Sequence, residues 1–164
     1  MEKFSSLKIG DQFHSTTTIS SDELDEYLGF SRIKNAMFEI DTGKKEPKIV
    51  SGRAIISRME GEFTRLRQIY GNLIILYGID GDKEWESRQT RFLKPLYTDQ
   101  VLKLKFTISE KKDSDGKFGL IGVDFEGTND DGEVVLTCKK NLYRIKKEPP
   151  SNLYLILRLQ SLIQ

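Results

Sequence analysis

One helical stripe followed only by strand patterns restricts the architectures open to this chain. Across residues 51–70, apolar side chains fall at Ile55, Ile56, Met59, Phe63, Leu66, Ile69 and Tyr70. That spacing predicts one buried helix face about five turns long. Arg58, Glu62, Arg65 and Arg67 lie largely off it, and Gly71-Asn72 predicts its end. Two glycines are unusual in such a segment, since glycine disfavours helix interiors. Gly52 sits at the start, where the cost is least, and Gly61 predicts a close approach of another backbone.

Beyond the stripe the period is two. Residues 73–79 are apolar and β-branched, and residues 85–93 read as a second strand ended by Pro95. Leu102, Leu104, Phe106 and Ile108 alternate with Lys103, Lys105, Thr107 and Ser109, the pattern of a half-buried strand. Asp115-Gly116 and Asp131-Gly132 predict hairpin turns, and residues 133–145 close the meander. Upstream, Gly10-Asp11 opens a turn and residues 13–19 form a Thr-rich first strand. Ser20 and Glu23 make a capping box. It starts a short helix with Leu24, Tyr27 and Leu28 on one face, stopping near Gly29. Residues 30–47 show no period and end in Gly43-Lys44-Lys45-Glu46-Pro47, a loop. Irregular stretches of that length are often functional. One helix against one large antiparallel sheet is an α+β plan. Tyr70, Trp85, Phe92, Phe106 and Phe125 fall on core periods, and Cys138 reads as a small buried residue.

The chain's 164 residues suit one domain, expected over residues 1–148. Pro149-Pro150 then sets off an apolar tail, 149–164, expected to dock on its own domain or on a sister subunit. The net charge of +1 argues against a dedicated nucleic-acid binder. No apolar run is long enough to span a membrane, and the charged N-terminus has no signal-peptide pattern, so the cytoplasm is the expected location. One cysteine and one histidine, His14, leave no internal disulfide or multi-cysteine zinc site; no metal is expected.

Three segments carry a resemblance. Gly10-Asp11-Gln12-Phe13 with Thr18-Ile19-Ser20-Ser21-Asp22-Glu23-Leu24 resembles the opening of MaoC-like proteins. Ile49-Val50-Ser51-Gly52-Arg53-Ala54-Ile55-Ile56-Ser57 is similar to their entry into the central helix. Arg91-Phe92-Leu93-Lys94-Pro95-Leu96-Tyr97-Thr98-Asp99 resembles their Arg-Phe-hydrophobic-x-Pro-Val-x-x-Gly-Asp segment. The resemblance to the MaoC-like dehydratase and (R)-specific enoyl-CoA hydratase family implies a hot-dog fold, a long helix wrapped by a curled sheet. It implies acyl thioesters of coenzyme A or acyl carrier protein as ligands, with no separate cofactor. It also implies a homodimer or a heteromer with another hot-dog chain. The thioester carbonyl would meet a backbone N–H at Gly52. A helix N-terminus favours negative charge developing on such an oxygen, and a glycine admits a ligand close to the backbone.

The family's catalytic Asp and His are missing. Aligned on Asn35, the Asp-x-Asn-Pro-x-His segment reads Ile33-Lys34-Asn35-Ala36-Met37-Phe38. Ile33 and Phe38 cannot transfer protons, and Ser51 stands where a further His is often found. Glu39 and Asp41 lie just beyond and are the candidate catalytic carboxylates; the alternative is a solvated loop pair. Asn35, Ser51, Gly52 and Arg53 are the candidate substrate-binding residues. Ser51, with no base beside it, is expected as the helix N-cap, and Arg53 as a buried cation paired with Glu39 or Asp41. Lys34, Lys44, Lys45 and Lys48 form a basic patch for phosphates or an acidic carrier. Three functions stay open. One is a non-catalytic acyl-thioester-binding subunit or regulatory module. The second is a hydratase with displaced residues, and the third a thioesterase using a loop carboxylate.

Overall fold

The computed structural model describes residues 4–39, 47–70, 74–76, 89–113 and 116–147. The elements run β1 (Gln12–Thr17), α1 (Ser21–Ser31), α2 (Ala36–Glu39), α3 (Gly52–Arg65), β2 (Ile74–Leu76), β3 (Gln89–Phe92), β4 (Leu102–Asp113), β5 (Phe118–Thr128) and β6 (Val134–Lys146). A short 3₁₀ turn, Phe4–Ser6, precedes them. The strands form one antiparallel sheet in the order β1-β4-β5-β6-β2, with β3 also on β6. The expected α+β plan holds.

The helix α3 fills the sheet's hollow because its apolar residues share one face. Ala54, Ile55, Met59 and Phe63 are buried along it. The Phe63 ring meets Phe106, Phe125 and Tyr143 at centroid distances of 5.6, 5.5 and 4.9 Å. Those rings come from β4, β5 and β6, so one side chain ties the helix to three strands.

A bulge bends β6. Pairing shifts between Val123 and Phe125 of β5, leaving Lys139 and Lys140 opposite Asp124, with Lys140 at φ 58°. Before the bulge β6 takes β3 as its second neighbour, and after it β2. Bulges sharpen local twist, which turns the sheet around α3. Asn141, 1 % exposed, holds the bend. Its Nδ2 donates to the carbonyls of Val123 and Cys138 at 3.0 and 2.8 Å, and its Oδ1 accepts from Cys138 Sγ. Leucine at this position removes all three of these hydrogen bonds. Unpaired buried polar groups are costly, so Asn141→Leu is expected to lower stability by about 2 kcal/mol, measurable as a shifted urea midpoint.

Several expectations are corrected. The long helix stops at Arg65, not at Tyr70. Leu66 leaves helical geometry (ψ 135°), and its carbonyl accepts the amides of Ile69 and Tyr70 in a turn. That turn buries Ile69 and leaves Tyr70 53 % exposed, so Tyr70 is not core. Phe92 is not core either, at 51 % exposed on β3, whose four residues are all exposed. The helix α1 runs past Gly29 to Ser31, with Arg32 in the left-handed conformation as its cap. Gly61 faces open space, with nothing near the place a Cβ would take. Within the stretch expected to be irregular, residues 36–39 make a short helix. Ile108 and Phe106 are buried as the alternation required, and Cys138 is buried. Trp85 and the tail 149–164 lie outside the described residues.

Candidate functional site

Two segments far apart in sequence meet at the N-terminal end of α3. Strand β3 lies antiparallel on β6, with Phe92 opposite Leu136. The next amides, Leu93 and Lys94, both donate to the Val135 carbonyl. Leu96 then accepts the Val50 amide at 2.8 Å, Ile49 bridges Tyr97, and Thr98 donates to Lys48 while its hydroxyl accepts the Lys48 amide. The chain turns away at Asp99, φ 65°, at the position where the family pattern carries glycine. Asp tolerates that left-handed geometry better than most residues.

Between these segments lies an open cleft of about 560 Å³. Ile49, Val50, Ile55 and Leu96 give it apolar walls, with Phe92, Leu93 and Pro95 at the β3 side. Ile33 reaches in from the α1–α2 connection, and Ser51, Gly52 and Arg53 supply the helix end. The lining holds two cations, Arg53 and Lys94, and no carboxylate or imidazole among the described residues. Lys94 is engaged by Glu133 at 3.1 Å. The Asn129 side chain, and then Lys94, hold that exposed carboxyl below the ordinary carboxylate range.

Helices α1 and α3 begin in opposite ways. At α1, Ser20 accepts the Glu23 amide and Glu23 accepts the Ser20 amide, with Asp22 and Glu23 in the first turn. The Glu23 carboxyl is held below its ordinary value, first by the Arg58 guanidinium at 2.6 Å and then by the Ser20 amide. At α3, Ser51 occupies the N-cap position but its side chain caps nothing. Ser51 is thus the expected N-cap by position, with its carbonyl accepting the Ile55 amide, while its hydroxyl makes no capping bond. The residue is 4 % exposed, lines the cleft, and its hydroxyl has no hydrogen-bond partner among the described residues. No acidic residue stands in the first turn of α3; Arg53 does. The first amides of a helix have no intrahelical acceptor, so this end of the cleft is rich in donors.

Of the residues expected at the site, Ser51, Gly52 and Arg53 come together. Asn35 does not line the cleft. It is exposed, and its Oδ1 accepts the Met37 amide at 3.0 Å, capping α2. Ile33 does line it, where the family resemblance puts the Asp. Glu39 ends α2, its side chain and that of Phe38 lie outside the described residues, and Asp41 lies outside them entirely. Arg53 is exposed, not buried, because its position points it to the open side of the helix end. Lys48 is not a free cation: it pairs with Asp25 at 3.0 Å. Lys34 is exposed, and Lys44 and Lys45 lie outside the described residues. His14 is exposed on β1 opposite Lys105, away from the cleft. Sequence reasoning missed Phe92, whose ring rests on Gly52. A methyl at Gly52 would lie 2.6 Å from Phe92 Cζ. The signal was available, since both residues belong to segments of the same resemblance. Only the sheet register brings them together.

A second cleft, about 460 Å³, lies on the opposite flank of α3 against α1. Several of its polar groups are already engaged: Arg58 with Glu23, Ser57 with Tyr27, and Glu62 with Ser15 of β1. No group of three or more metal-ligating side chains occurs among the described residues, and no helix among them is long and apolar enough to cross a membrane.

No protein-family model matches the sequence, and no curated protein matches it. Solved structures do match. One is a monoamine oxidase regulatory protein from Archaeoglobus, at 21 % identity and TM-score 0.67, over 90 % of this chain and 95 % of that one. An R-hydratase from Pseudomonas aeruginosa gives 16 % identity and TM-score 0.64, over 90 % and 85 %. A MaoC-like dehydratase from Rhodospirillum rubrum gives 15 % and 0.63, over 90 % and 98 %. Shared over nearly the whole length of these proteins, the arrangement of one central helix in a curled antiparallel sheet gives this chain the hot-dog fold of MaoC-like dehydratases and (R)-hydratases.

Proposed function

We propose that the cleft at the start of α3 binds an acyl thioester, carried on coenzyme A or an acyl carrier protein, and that this chain binds it without hydrating it. The observation that carries the reading is the state of that helix end. A serine in the capping position makes no side-chain cap, that largely buried residue lines the cleft, and a cation stands in the first turn. Each departs from what favours a helix, and together they leave polar groups for a ligand. The thioester carbonyl is the fitting acceptor for the free amides at Gly52 and Arg53, with the Ser51 hydroxyl as a second donor. The apolar walls suit the acyl chain. Arg53, exposed at the rim, suits the phosphates of the carrier.

Hydration needs a group that takes a proton from water and one that returns it. Ile33 lies in the cleft where the family resemblance puts the carboxylate, and the described lining offers no carboxylate or imidazole. That favours a binding chain, either a homodimeric module or a subunit lending its cleft to a catalytic hot-dog partner. One experiment tests this. Purified protein is titrated with crotonyl-CoA by calorimetry, while a parallel assay follows the conjugated double bond and free thiol. Binding without loss of either signal is expected. Ser51→Ala is expected to weaken binding about tenfold, the worth of one hydrogen bond. Loss of the double bond would refute the non-catalytic reading. Thiol release would instead point to a thioesterase and to Glu39 and Asp41.

A further inference from the structure

We infer that the Phe92 ring is the specificity-determining wall of the cleft, limiting it to thioesters that are slender at the carbon next to the carbonyl. The inference rests on the acyl-thioester reading and adds a selectivity to it. A Cβ built on Gly52 would lie 2.6 Å from Phe92 Cζ, 2.7 Å from Cε1 and 3.1 Å from Cε2. The tip and edge of the ring therefore occupy the space in which a side chain at residue 52 would begin. Whatever approaches the amides of this helix end meets the ring at the same place. The cleft is open elsewhere, so the constriction is local to the carbonyl's end.

The wall stands on a fixed base. Phe92 is in register with Leu136, and the next two amides are both held by Val135. Pro95 follows shortly, with its φ fixed by the ring, and Leu96 is hydrogen-bonded to Val50. The backbone under Phe92 cannot easily retreat, so relief must come from the side chain. That side chain is 51 % exposed, so about half of the ring is not held by packing among the described residues. An aromatic ring kept half in water, on a strand whose four residues are all exposed, contributes less to the core than to the shape of the cleft it lines. A straight acyl chain passes beside the ring. A quaternary carbon next to the carbonyl carries methyl groups into the space the ring already fills.

The test compares two thioesters on one carrier. Butyryl-CoA is slender at the carbon next to the carbonyl, and pivaloyl-CoA is quaternary there. Each is titrated into the wild type, Phe92→Ala and Phe92→Leu by calorimetry, after thermal melts confirm that the variants fold. The wild type is expected to bind butyryl-CoA at least tenfold more tightly than pivaloyl-CoA. Phe92→Ala is expected to shrink that preference at least fivefold, mainly by gaining affinity for pivaloyl-CoA, with Phe92→Leu in between. A wild type that binds both equally, or a preference unchanged in Phe92→Ala, would overturn the inference while leaving thioester binding intact. No binding of either ligand to any of the three proteins would instead remove the acyl-thioester reading, and the inference with it.

Discussion

Phe63→Ala is expected to lower the stability of the domain by about 4 kcal/mol and its melting temperature by roughly 10 °C. The residue has no exposed surface and its ring touches those of Phe106, Phe125 and Tyr143. Deleting it removes apolar burial and leaves a ring-sized hole. Collapse cannot fill the hole cheaply, because the three neighbours sit on paired strands in fixed register. Phe106 and Phe125 also brace each other edge to face at 5.1 Å, so neither is free to lean in. Thermal unfolding of the variant checks the size, and Phe63→Leu, which refills most of the volume, should recover at least half. A loss under about 1 kcal/mol would show that α3 is held mainly by Ala54, Ile55 and Met59. Phe63 lies eleven residues beyond Gly52, at the far end of α3, so any folded population should keep the wild-type affinity for the thioester.

What the sequence made legible follows from where the information sits. The half-buried strands, the capping box at Ser20 and the stripe on α3 are local patterns set by periodicities of two and 3.6, and all three are present. The end of α3 was not legible. Leu66 and Ile69 continue the helical spacing, yet the chain leaves the helix at Leu66 and still buries Ile69 through a turn. An apolar residue near a helix end reads the same whichever backbone delivers it to the core. Phe92 and Tyr70 fail for a related reason. Period and aromatic character place them on a core face, but Phe92 on β3 and Tyr70 in the turn after α3 are each about half exposed, with no second layer over them among the described residues. Gly61 met no close neighbour, because a glycine marks permission and not the partner that uses it.

At the site, residues adjacent in sequence were readable as a group and residues joined only by the fold were not. Ser51, Gly52 and Arg53 are neighbours, so one motif carried them together. Their placement beside Phe92, Leu93 and Lys94 depends on β3 pairing with β6, which no local pattern specifies. The expected ion pair of Arg53 assumed burial that α3 does not provide. Asn35 aligns with a segment of the resembled family, but its role here is local: its side chain starts α2. The charge of Lys48 is readable in the sequence, but its partner Asp25, on α1, is brought to it only by the fold.

Arg53→Glu should separate stability from binding by moving them in opposite directions. The first turn of α3 contains a cation and no acid. A positive side chain there opposes the helix dipole, and a negative one complements it. For folding alone the substitution is favourable, by about 0.5–1 kcal/mol, and no ion pair among the described residues is lost with Arg53. For the proposed ligand it is adverse. The carrier's phosphates would meet a carboxylate at the rim where they now meet a guanidinium, and Lys94, the other cation of the cleft, is already engaged by Glu133. A charge reversal facing a multiply charged anion is expected to weaken crotonyl-CoA binding about a hundredfold at low salt, shrinking as ionic strength rises. The measurement is a melt and a titration on one preparation, at two salt concentrations. Higher melting temperature with lost, salt-sensitive binding would mean that α3 carries an unfavourable residue at its start because a ligand uses it, as expected where function overrides local preference. Unchanged affinity would take Arg53 out of the site and leave the carrier's phosphates to other residues.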